Sequence, residues 1–392
     1  MAHHARRLGR VLIPLEAFFF AAVLLTVYPY LVYPLVLPMV AWLFGRPSSR
    51  SSWAPLVSLI IPVYNELEVI GLKLDNSLSL DYPRDRLEIL VGSDGSSDGS
   101  LQIVQGYADR GVRLFGFAER RGKPSVLNDL VAASRGEILV LTDASALLDP
   151  RAIREIVASF GSDDVGVVSG EMVPVHGEGA VSALDLYRRI DNRLRRLESR
   201  LHSSTGAAGA LYGIRRSLFV PLPGDTILDD FVTPLRVVER GYRVLICPEA
   251  RFTELERTTL KNEFRRKVRT LAGNYQALGR LWRLLVPGWS PVWFPLLSHK
   301  VLRLLTPYFM LALLPLNLFL LDRPAFRLVL VAQVVFYLSS GLGFLLRHRR
   351  RRISFLHYPF LVVLMQAANL FSLLKYLSGG VTMRWEKQNR IE

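Results

Sequence analysis

The sequence predicts an α/β domain built on a parallel sheet and flanked by transmembrane helices. Between residues 57 and 143, short apolar strands alternate with helical stretches, and polar residues follow the strands. A parallel strand covered on both faces is a continuous apolar run, and strands that alternate with helices form a doubly wound sheet. Apolar stretches of bilayer length stand on both sides of this region. The predicted fold is therefore α/β with membrane helices at each end.

Composition narrows the class of protein. The chain has 392 residues, of which 50% are hydrophobic, and a formal net charge of +15. A basic chain with long apolar blocks favours anionic lipid or a phosphorylated substrate as partner, and no nucleic acid is expected. Cys247 is the only cysteine, which excludes a disulfide framework and a thiolate metal cluster.

Residues 1–50 are predicted to form an N-terminal membrane segment. Residues 11–44 are almost uncharged, and about 20 apolar residues suffice to cross a bilayer. One long tilted helix fits this stretch, although Pro29, Pro34 and Pro38 also permit a short two-helix hairpin. Arginines flank the segment on both sides, so its orientation stays open under the positive-inside rule.

Residues 51–288 form the predicted α/β domain. Its strands lie within residues 57–66, 87–99, 112–117, 137–143, 165–170 and 241–246, and the first two of these stretches end in polar turns. Residues 183–201 follow an amphipathic helical pattern with an arginine-rich face. Residues 203–210 are nearly all small, which indicates that backbone or a ligand approaches closely there.

Residues 289–392 are predicted to return to the membrane. A tryptophan-containing segment at 289–300 fits the interface, and helices that could cross the bilayer follow at 304–321, 326–346 and, less apolar, 353–377. The Arg347–Arg352 cluster between the last two favours the cytoplasmic side. This predicts a multi-pass protein of the cell membrane whose α/β domain is cytoplasmic.

Carboxylates stand where the predicted strands end. Open α/β sheets bind ligands beyond the carboxyl ends of their strands, so Asp143 is placed to hold a metal and a diphosphate. The alternative is that Asp143 caps the helix near Asp149. Asp229 and Asp230 precede a helix and are open to the same alternative. Asp98 is interpreted as a turn or cap residue.

Six short motifs occur in a fixed order along this domain. They are Ile61-Pro62-Val63-Tyr64-Asn65-Glu66, Ser93-Asp94-Gly95-Ser96-Ser97-Asp98-Gly99, Arg121-Gly122-Lys123 with Asn128, Thr142-Asp143-Ala144-Ser145, Asp229-Asp230 and Arg266-Lys267-Val268-Arg269. Together they resemble the family-2 glycosyltransferases, and more narrowly the membrane-integrated, cellulose-synthase-like branch with a GT-A catalytic domain. The resemblance covers residues 55–285 by motif and the membrane helices by layout.

The resemblance implies a role for each motif. Tyr64, Glu66 and Asp94 would bind the nucleotide of a UDP-sugar donor, and Lys123 its base or diphosphate. Asp143 would meet the ribose-diphosphate and, with Ser145, a divalent metal. Asp230 would be the general base, with Asp229 beside it, and Arg266 and Arg269 would clamp the diphosphate. Glu66 could instead start a helix, and the basic run around Arg266 could face lipid headgroups.

The chemistry of sugar transfer agrees with these roles. Mg²⁺ or Mn²⁺ held by one or two carboxylates and phosphate oxygens is the usual partner of a sugar diphosphate. The leaving UDP gains charge, which a metal and guanidinium groups stabilise. The acceptor hydroxyl needs a positioned carboxylate to take its proton. A single displacement of this kind inverts the anomeric carbon.

Two departures from the family pattern affect the prediction. Ser145 stands where a second metal-binding aspartate is common, and Thr270 stands where processive synthases often carry tryptophan. We therefore expect stepwise transfer to a glycan or a lipid-linked acceptor in envelope polysaccharide synthesis. The alternatives are a processive synthase with coupled export, through a homo-oligomer or an export partner, and a non-catalytic membrane partner of such a synthase. A transporter is disfavoured because the predicted spans lack charged residues deep in the membrane.

Overall fold

Eight strands form a single sheet at the centre of the protein. The computed structural model describes residues 2–173, 180–255, 260–346 and 354–381. The strands are β1 (Val57–Val63), β2 (Leu87–Asp94), β3 (Val112–Phe117), β4 (Ile138–Thr142), β5 (Ala146–Leu148), β6 (Val165–Met172), β7 (Leu211–Arg215) and β8 (Arg243–Glu254). Their order across the sheet is β3-β2-β1-β4-β7-β6-β8-β5.

Helices cover the sheet and extend the chain at both ends. They are α1 (Ala2–Val27), α2 (Tyr33–Phe44), α3 (Ile70–Leu78), α4 (Ser100–Gln105), α5 (Lys123–Ala133), α6 (Ala152–Ala158), α7 (Ala180–Leu201), α8 (Asp229–Glu239), α9 (Leu260–Arg280), α10 (Trp293–Pro295), α11 (Leu302–Leu318), α12 (Pro324–Leu345) and α13 (Ser354–Leu377). The amphipathic helix that the sequence predicts near 183–201 is α7.

The first four strands form the parallel, doubly wound half of the sheet, as predicted. β1 lies between β2 and β4 and pairs with both in parallel, and β2 pairs in parallel with β3. All seven residues of β1 are buried, which explains its unbroken apolar run. Parallel pairing places the carboxyl ends of β1, β2 and β4 along one edge.

The second half of the sheet is mixed, which the sequence did not predict. β7 runs antiparallel to both β4 and β6, and β5 pairs antiparallel with β8. β7 has five residues with Gly213 at its centre, a pattern that weakens a strand signal. A Cβ at Gly213 would lie 2.5 Å from Cγ2 of Ile156, so the glycine is required by packing of α6.

Two apolar clusters lie on the two faces of the sheet. The first contains residues of α3, α4 and α6, represented by Ile70, Val104 and Ile156. The second contains α5, α8 and α9 and continues into residues Val292, Leu296 and Leu304 ahead of and within the C-terminal helices. The α/β domain therefore packs directly on an apolar membrane-length segment.

Four described segments are long and apolar enough to cross a bilayer. They are Pro14–Phe44, Trp293–Leu318, Pro324–Leu345 and Tyr358–Leu377. In the first, α1 and α2 are joined by a π-helical turn at Tyr28–Val32, so the chain continues as one bent helix and the hairpin alternative does not form. The predicted interfacial stretch 289–300 overlaps the start of the second segment. The Arg347–Arg352 cluster lies outside the described residues.

Glu88 ties the parallel strands together from inside the sheet. Its Oε1 accepts hydrogen bonds from Ser58 Oγ at 2.5 Å and from the backbone N–H of Arg135 at 2.6 Å. Its Oε2 faces the guanidinium groups of Arg113 and Arg135 at 3.1 and 3.2 Å. Although burial alone would raise it, these hydrogen bonds hold the pKa of Glu88 below its usual value.

We expect Glu88→Ala to lower the free energy of unfolding by about 1–3 kcal/mol, because it removes the acceptor of the Ser58 hydroxyl and of the Arg135 backbone N–H. The depressed pKa means that this contribution is present at neutral pH and is lost as the pH falls through that pKa. Thermal unfolding of detergent-purified protein measures the change. Asp85→Ala, at a side chain that is 82% exposed, is the control. Equal melting temperatures for the two variants would contradict this role.

Candidate active site at the carboxyl edge of the sheet

Some of the predicted site residues lie at the edge where β1, β2 and β4 end. Tyr64 follows β1, Asp94 is the last residue of β2, and Asp143 follows β4. Because these three strands are parallel neighbours, their ends lie side by side. α5 and α8 begin at the same edge and bring Lys123 and Asp229 to it.

Asp94 shapes the loop that delivers the lysine. The residue is fully buried, and its two carboxylate oxygens accept the backbone N–H groups of Arg121 at 2.7 Å and Gly122 at 2.9 Å. Gly122 has φ 90°, a left-handed backbone that favours glycine, and α5 starts at the next residue. Asp94 is predicted to bind the nucleotide, and both of its carboxylate oxygens are thus engaged by protein backbone.

Lys123 joins three of the predicted motifs in one cluster. Its Nζ lies 2.8 Å from Oδ1 of Asp143 and 3.4 Å from Oδ1 of Asp229. Although burial alone would lower it, the two carboxylates raise the pKa of Lys123 above its ordinary value, so the ammonium stays charged. Asp143 does not cap the following helix: the N–H of Arg151 is accepted by Asp149 at 3.1 Å instead.

Asp229 and Asp230 open α8 without capping it. The N-cap residue is Leu228, and the N-cap makes no side-chain hydrogen bond. Oδ2 of Asp229 is buried and accepts no hydrogen bond from a described residue. Burial and the adjacent Asp229 carboxylate raise the pKa of Asp230 to about 6. A carboxylate with this pKa is suited to take a proton near neutral pH.

The small residues at 203–210 pack against Asp230, as their composition predicts. The N–H of Ala207 donates to the backbone carbonyl of Asp230 at 2.8 Å. A Cβ at Gly209 would lie 2.7 Å from Oδ2 of Asp230, so a larger residue there would displace the carboxylate. This loop forms a wall of the site.

The motif after β1 is held by the turn after β2. Asn65 adopts φ 53° and its Oδ1 accepts the N–H of Ser97 at 2.8 Å. The N–H of Glu66 donates to Ser100 Oγ at 2.9 Å, while its carbonyl accepts the N–H of Ile70, the first residue of α3. Glu66 therefore precedes the helix. The Arg120 guanidinium lies 3.7 Å from the ring centre of Tyr64.

Asp98 and Asn128 have structural contacts. Asp98 accepts the N–H groups of Leu67 and Ser100 at 3.1 Å each, in agreement with its interpretation as a turn residue. Asn128 exchanges two hydrogen bonds with the backbone of Leu222, at 2.8 and 2.9 Å, and so fixes the loop before α8.

The two predicted diphosphate-binding arginines differ in their surroundings. Both lie on α9 and are half-buried. Arg266 is engaged by Glu263 at 2.8 Å and by Glu254 at 3.4 Å. Arg269 makes no hydrogen bond or ion pair with a residue that the structure describes. Arg269 is thus the more available guanidinium for a bound anion.

The residues present fit a divalent cation that binds together with a diphosphate. Asp143 offers an oxygen that is not engaged by Lys123, its side chain is 39% exposed, and Ser145 lies two residues on. Within the described ranges, no group of three or more His, Cys, Asp or Glu residues could hold a metal by itself. Mg²⁺ in particular is commonly held by one or two carboxylates plus substrate phosphates.

Sequence reasoning missed Lys73, which lies directly behind the site. It is fully buried, and its Nζ donates to Thr142 Oγ1 at 2.8 Å and to the carbonyl of Ala146 at 2.5 Å. Burial lowers the pKa of Lys73 to about 7, against the opposing effect of Asp143. Its signal in the sequence is a lysine on the buried stripe of α3, between Ile70 and Leu74.

Comparison with known proteins places these motifs in a family. The family described as "Glycosyltransferase like family 2" matches residues 54–273. "Probable glycosyltransferase YdaM" of Bacillus subtilis is 28% identical over 238 residues, which cover 56% of this chain and 55% of the relative. "Beta-monoglucosyldiacylglycerol synthase" of Synechocystis sp. is 28% identical over 258 residues, covering 60% of this chain and 52% of the relative. The chain thus spans about half the length of these relatives.

A solved structure shares the fold across most of the chain. It is the mannosyltransferase PcManGT from Pyrobaculum calidifontis in complex with GDP-Man and Mn²⁺, with a TM-score of 0.73 and 24% identity. The match covers 95% of this chain and all of the other. The arrangement of a GT-A domain and membrane-length helices is therefore one that a solved protein also adopts.

Proposed function

Because this chain belongs to glycosyltransferase family 2, we propose that it is a membrane-embedded, inverting glycosyltransferase. It takes a sugar from a nucleotide donor, a UDP-sugar, and transfers it to a glycan or a lipid-linked acceptor in cell-envelope polysaccharide synthesis. The observation that carries this proposal is the convergence of Lys123, Asp143, Asp229 and Asp230 from separate stretches at one sheet edge.

The donor side of the proposed site is built around Lys123. Its ammonium lies beside Asp143 at the carboxyl edge of the sheet. There it would stabilise the negative charge that the donor diphosphate gains as it leaves. Arg269 supplies a second cation that has no described ion-pair partner. The Asp94 loop and the Tyr64–Arg120 stack line the nucleotide end. The PcManGT structure contains GDP-Man, so a GDP-sugar is the donor to test against UDP-sugars.

Asp230 acts on the acceptor side. It accepts the proton of the acceptor hydroxyl, whose oxygen forms a bond to the anomeric carbon. The bond from that carbon to the diphosphate breaks, and the nucleoside diphosphate leaves with the electron pair. A single displacement inverts the anomeric carbon, and Gly209 leaves room for the Asp230 carboxylate, which a Cβ at that position would displace.

Asp143 and Ser145 would hold Mg²⁺ or Mn²⁺ together with the donor diphosphate. When bound, the metal supplies charge stabilisation to the leaving diphosphate. One oxygen of Asp143 accepts a hydrogen bond from Lys123, and the other would bind the metal. Lys73 donates a hydrogen bond to Thr142, the last residue of β4. The neutral Ser145 contributes a weaker ligand than a carboxylate would.

The proposed location of this chemistry rests on the membrane-length helices. The four membrane-length segments support a multi-pass protein of the cell membrane, with the α/β domain on the cytoplasmic side where nucleotide sugars are made. A non-catalytic membrane partner remains the contrasting function class. The clustering of three carboxylates and a lysine speaks against it, because packing alone does not require four ionisable groups at one edge.

The first prediction that follows from the proposed function tests Asp230 as the base. Asp230→Asn should lower nucleotide release by about 10²–10⁴-fold in a panel of UDP- and GDP-sugars, while nucleotide binding persists. In the native enzyme the rate should fall as the pH drops below about 6, because Asp230 must be ionised to accept a proton. Asp229→Asn removes the neighbouring negative charge and should move this acidic limb to lower pH.

Two outcomes would contradict that assignment. Native turnover in Asp230→Asn would place the base elsewhere. If Asp229→Asn leaves the acidic limb of the pH–rate profile unchanged, the Asp229–Asp230 pair does not cause the loss of rate at low pH. Absence of nucleotide release by the native protein with every donor would favour the non-catalytic alternative. Asp85→Asn, at an exposed site remote from the edge, is the matched control.

The second prediction concerns the metal. Activity should vanish in excess chelator and return with Mg²⁺ or Mn²⁺. Ser145→Asp should lower the metal concentration that gives half activity, because a carboxylate replaces a hydroxyl beside Asp143. Ser145→Asn, a neutral substitution, is the control and should not produce that shift. Full activity in excess chelator would remove the metal from the mechanism.

The third prediction concerns product length. A processive synthase must hold the polymer after each transfer, and aromatic rings do so by stacking on sugar faces. Thr270 lacks such a ring, so we expect a short ladder of products that grows evenly on all acceptor molecules. Trp282 and Trp289 are exposed downstream and offer replacement rings. Product sizing with excess donor and limiting acceptor decides: long polymer beside unused acceptor would establish processive synthesis.

A further inference from the structure

Lys73 fastens both ends of the turn that carries the proposed metal ligands. This turn, residues 143–145, connects β4 to β5 and is called the β4–β5 turn here. Nζ of Lys73 donates to Thr142 Oγ1 at 2.8 Å and to the carbonyl of Ala146 at 2.5 Å. Thr142 directly precedes the turn and Ala146 directly follows it, so a single side chain of α3 spans its two ends.

The Thr142 hydroxyl extends this contact to the wall of the site. It donates to the carbonyl of Ala210 at 2.8 Å. A threonine hydroxyl has one proton, so it receives the Lys73 ammonium through a lone pair. Ala210 ends the small-residue loop, residues 203–210, and follows Gly209, where a Cβ would lie 2.7 Å from Oδ2 of Asp230. Lys73 is therefore connected through one hydroxyl to the loop beside the proposed base.

Anchoring of this segment to α3 does not by itself require a lysine. Asn76, one helical turn after Lys73, exchanges two hydrogen bonds of 2.9 Å with the backbone of Leu148, the last residue of β5. A neutral amide thus fixes the strand to the helix. An ionisable group in a fully buried position is costlier than an amide unless its surroundings compensate for it. The lysine at position 73 therefore indicates a role beyond anchoring.

The compensation for Lys73 comes from the proposed metal ligand. The charge of Asp143 acts on the buried ammonium and opposes the effect of burial. Lys123 contacts the same carboxylate directly, at 2.8 Å. Lys73 is thus linked to Asp143 by charge and to both ends of its turn by hydrogen bonds. Any change at Lys73 would reach the residues that are proposed to hold the metal and the diphosphate.

We propose that Lys73 is a positioning residue that sets the geometry of the β4–β5 turn for a nucleoside diphosphate and its divalent cation. This inference rests on the proposed function and adds a residue that none of the six motifs contains. Lys73 acts through Thr142 and Ala146, which orient Asp143 and Ser145. Groups that orient metal ligands in this way typically contribute roughly 10- to 100-fold to metal affinity.

The test measures Mn²⁺ binding to the detergent-purified full-length protein. Electron paramagnetic resonance reports free Mn²⁺ in the presence of excess UDP or, separately, excess GDP. Lys73→Met keeps most of the side-chain length but removes both hydrogen bonds. It should raise the Mn²⁺ concentration that gives half-saturation by roughly 10- to 100-fold. In turnover assays KM for the sugar donor should rise as well, while KM for the acceptor stays near the native value.

Variants of Thr142 test whether Lys73 acts through the hydroxyl. Thr142→Val removes the hydroxyl and should also weaken Mn²⁺ binding, whereas Thr142→Ser keeps it and should bind nearly as the native protein does. In the double variant Lys73→Met/Thr142→Val, the effects should add to less than their sum, because both changes remove the same hydrogen bond. Fully additive effects would overturn the inference. The two Thr142 variants also decide it if Lys73→Met does not fold, since equal Mn²⁺ binding by both would overturn it.

Asn76→Ala is the matched control, because it removes two hydrogen bonds between α3 and the same segment, but outside the turn. It should lower the melting temperature and leave Mn²⁺ binding near the native value. An equal loss of Mn²⁺ binding in Asn76→Ala would overturn the inference and assign Lys73 to general packing. Native Mn²⁺ binding in Lys73→Met would overturn it while leaving the proposed activity intact. If the native protein binds no Mn²⁺ with either nucleotide, the metal part of the proposed function fails, and the inference fails with it.

Discussion

The contact of Lys123 with Asp143 and Asp229 is the interaction on which the rest of the site depends. It connects the end of β4, the start of α5 and the start of α8, which lie far apart in sequence. The two carboxylates would repel each other without the lysine, and the lysine would be unstable in this buried position without them. Because α5 enters through the loop that Asp94 holds, the geometry of this trio rests on the parallel sheet.

Features that arise from local sequence patterns could be predicted here, whereas contacts decided by the tertiary fold could not. The strands β1 to β4 and α7 follow from apolar runs and periodicity, which are local signals. β7 was not predicted, because its five residues centre on Gly213 and its pairing with β4 and β6 is decided by the tertiary fold. Lys123, Asp143 and Asp229, which come from three of the six motifs, lie in contact. The individual contacts could not be predicted. Asp94 accepts hydrogen bonds from the backbone, and Lys73 donates one to Thr142, because these contacts depend on where neighbouring chain segments run.

The junction with the membrane segments gives the site a second constraint. α7 has an arginine-rich face that suggests a solvated surface, yet its Asp191 and Glu198 contact His299 of a membrane-length segment. Burial would raise the pKa of Asp191, but the facing His299 and Arg303 hold it well below its usual range, so the contact is ionic. A histidine in an apolar stretch gives no sign of its partners in sequence. The same helix carries Arg195 to the small-residue loop that packs against Asp230.

The charge of the trio also explains why Ser145 is compatible with a diphosphate site. Lys123 cancels one of the two carboxylates, which leaves one net negative charge before any ligand arrives. A second aspartate at position 145 would add another negative charge at the place where we propose that the donor diphosphate binds. With a hydroxyl there, repulsion of the donor is smaller, but the attraction for a free metal ion is smaller as well. The balance favours a cation that arrives with the diphosphate, because only then are enough oxygen ligands present. Under the proposed function, Ser145 would therefore link metal and donor binding more tightly than a second aspartate would.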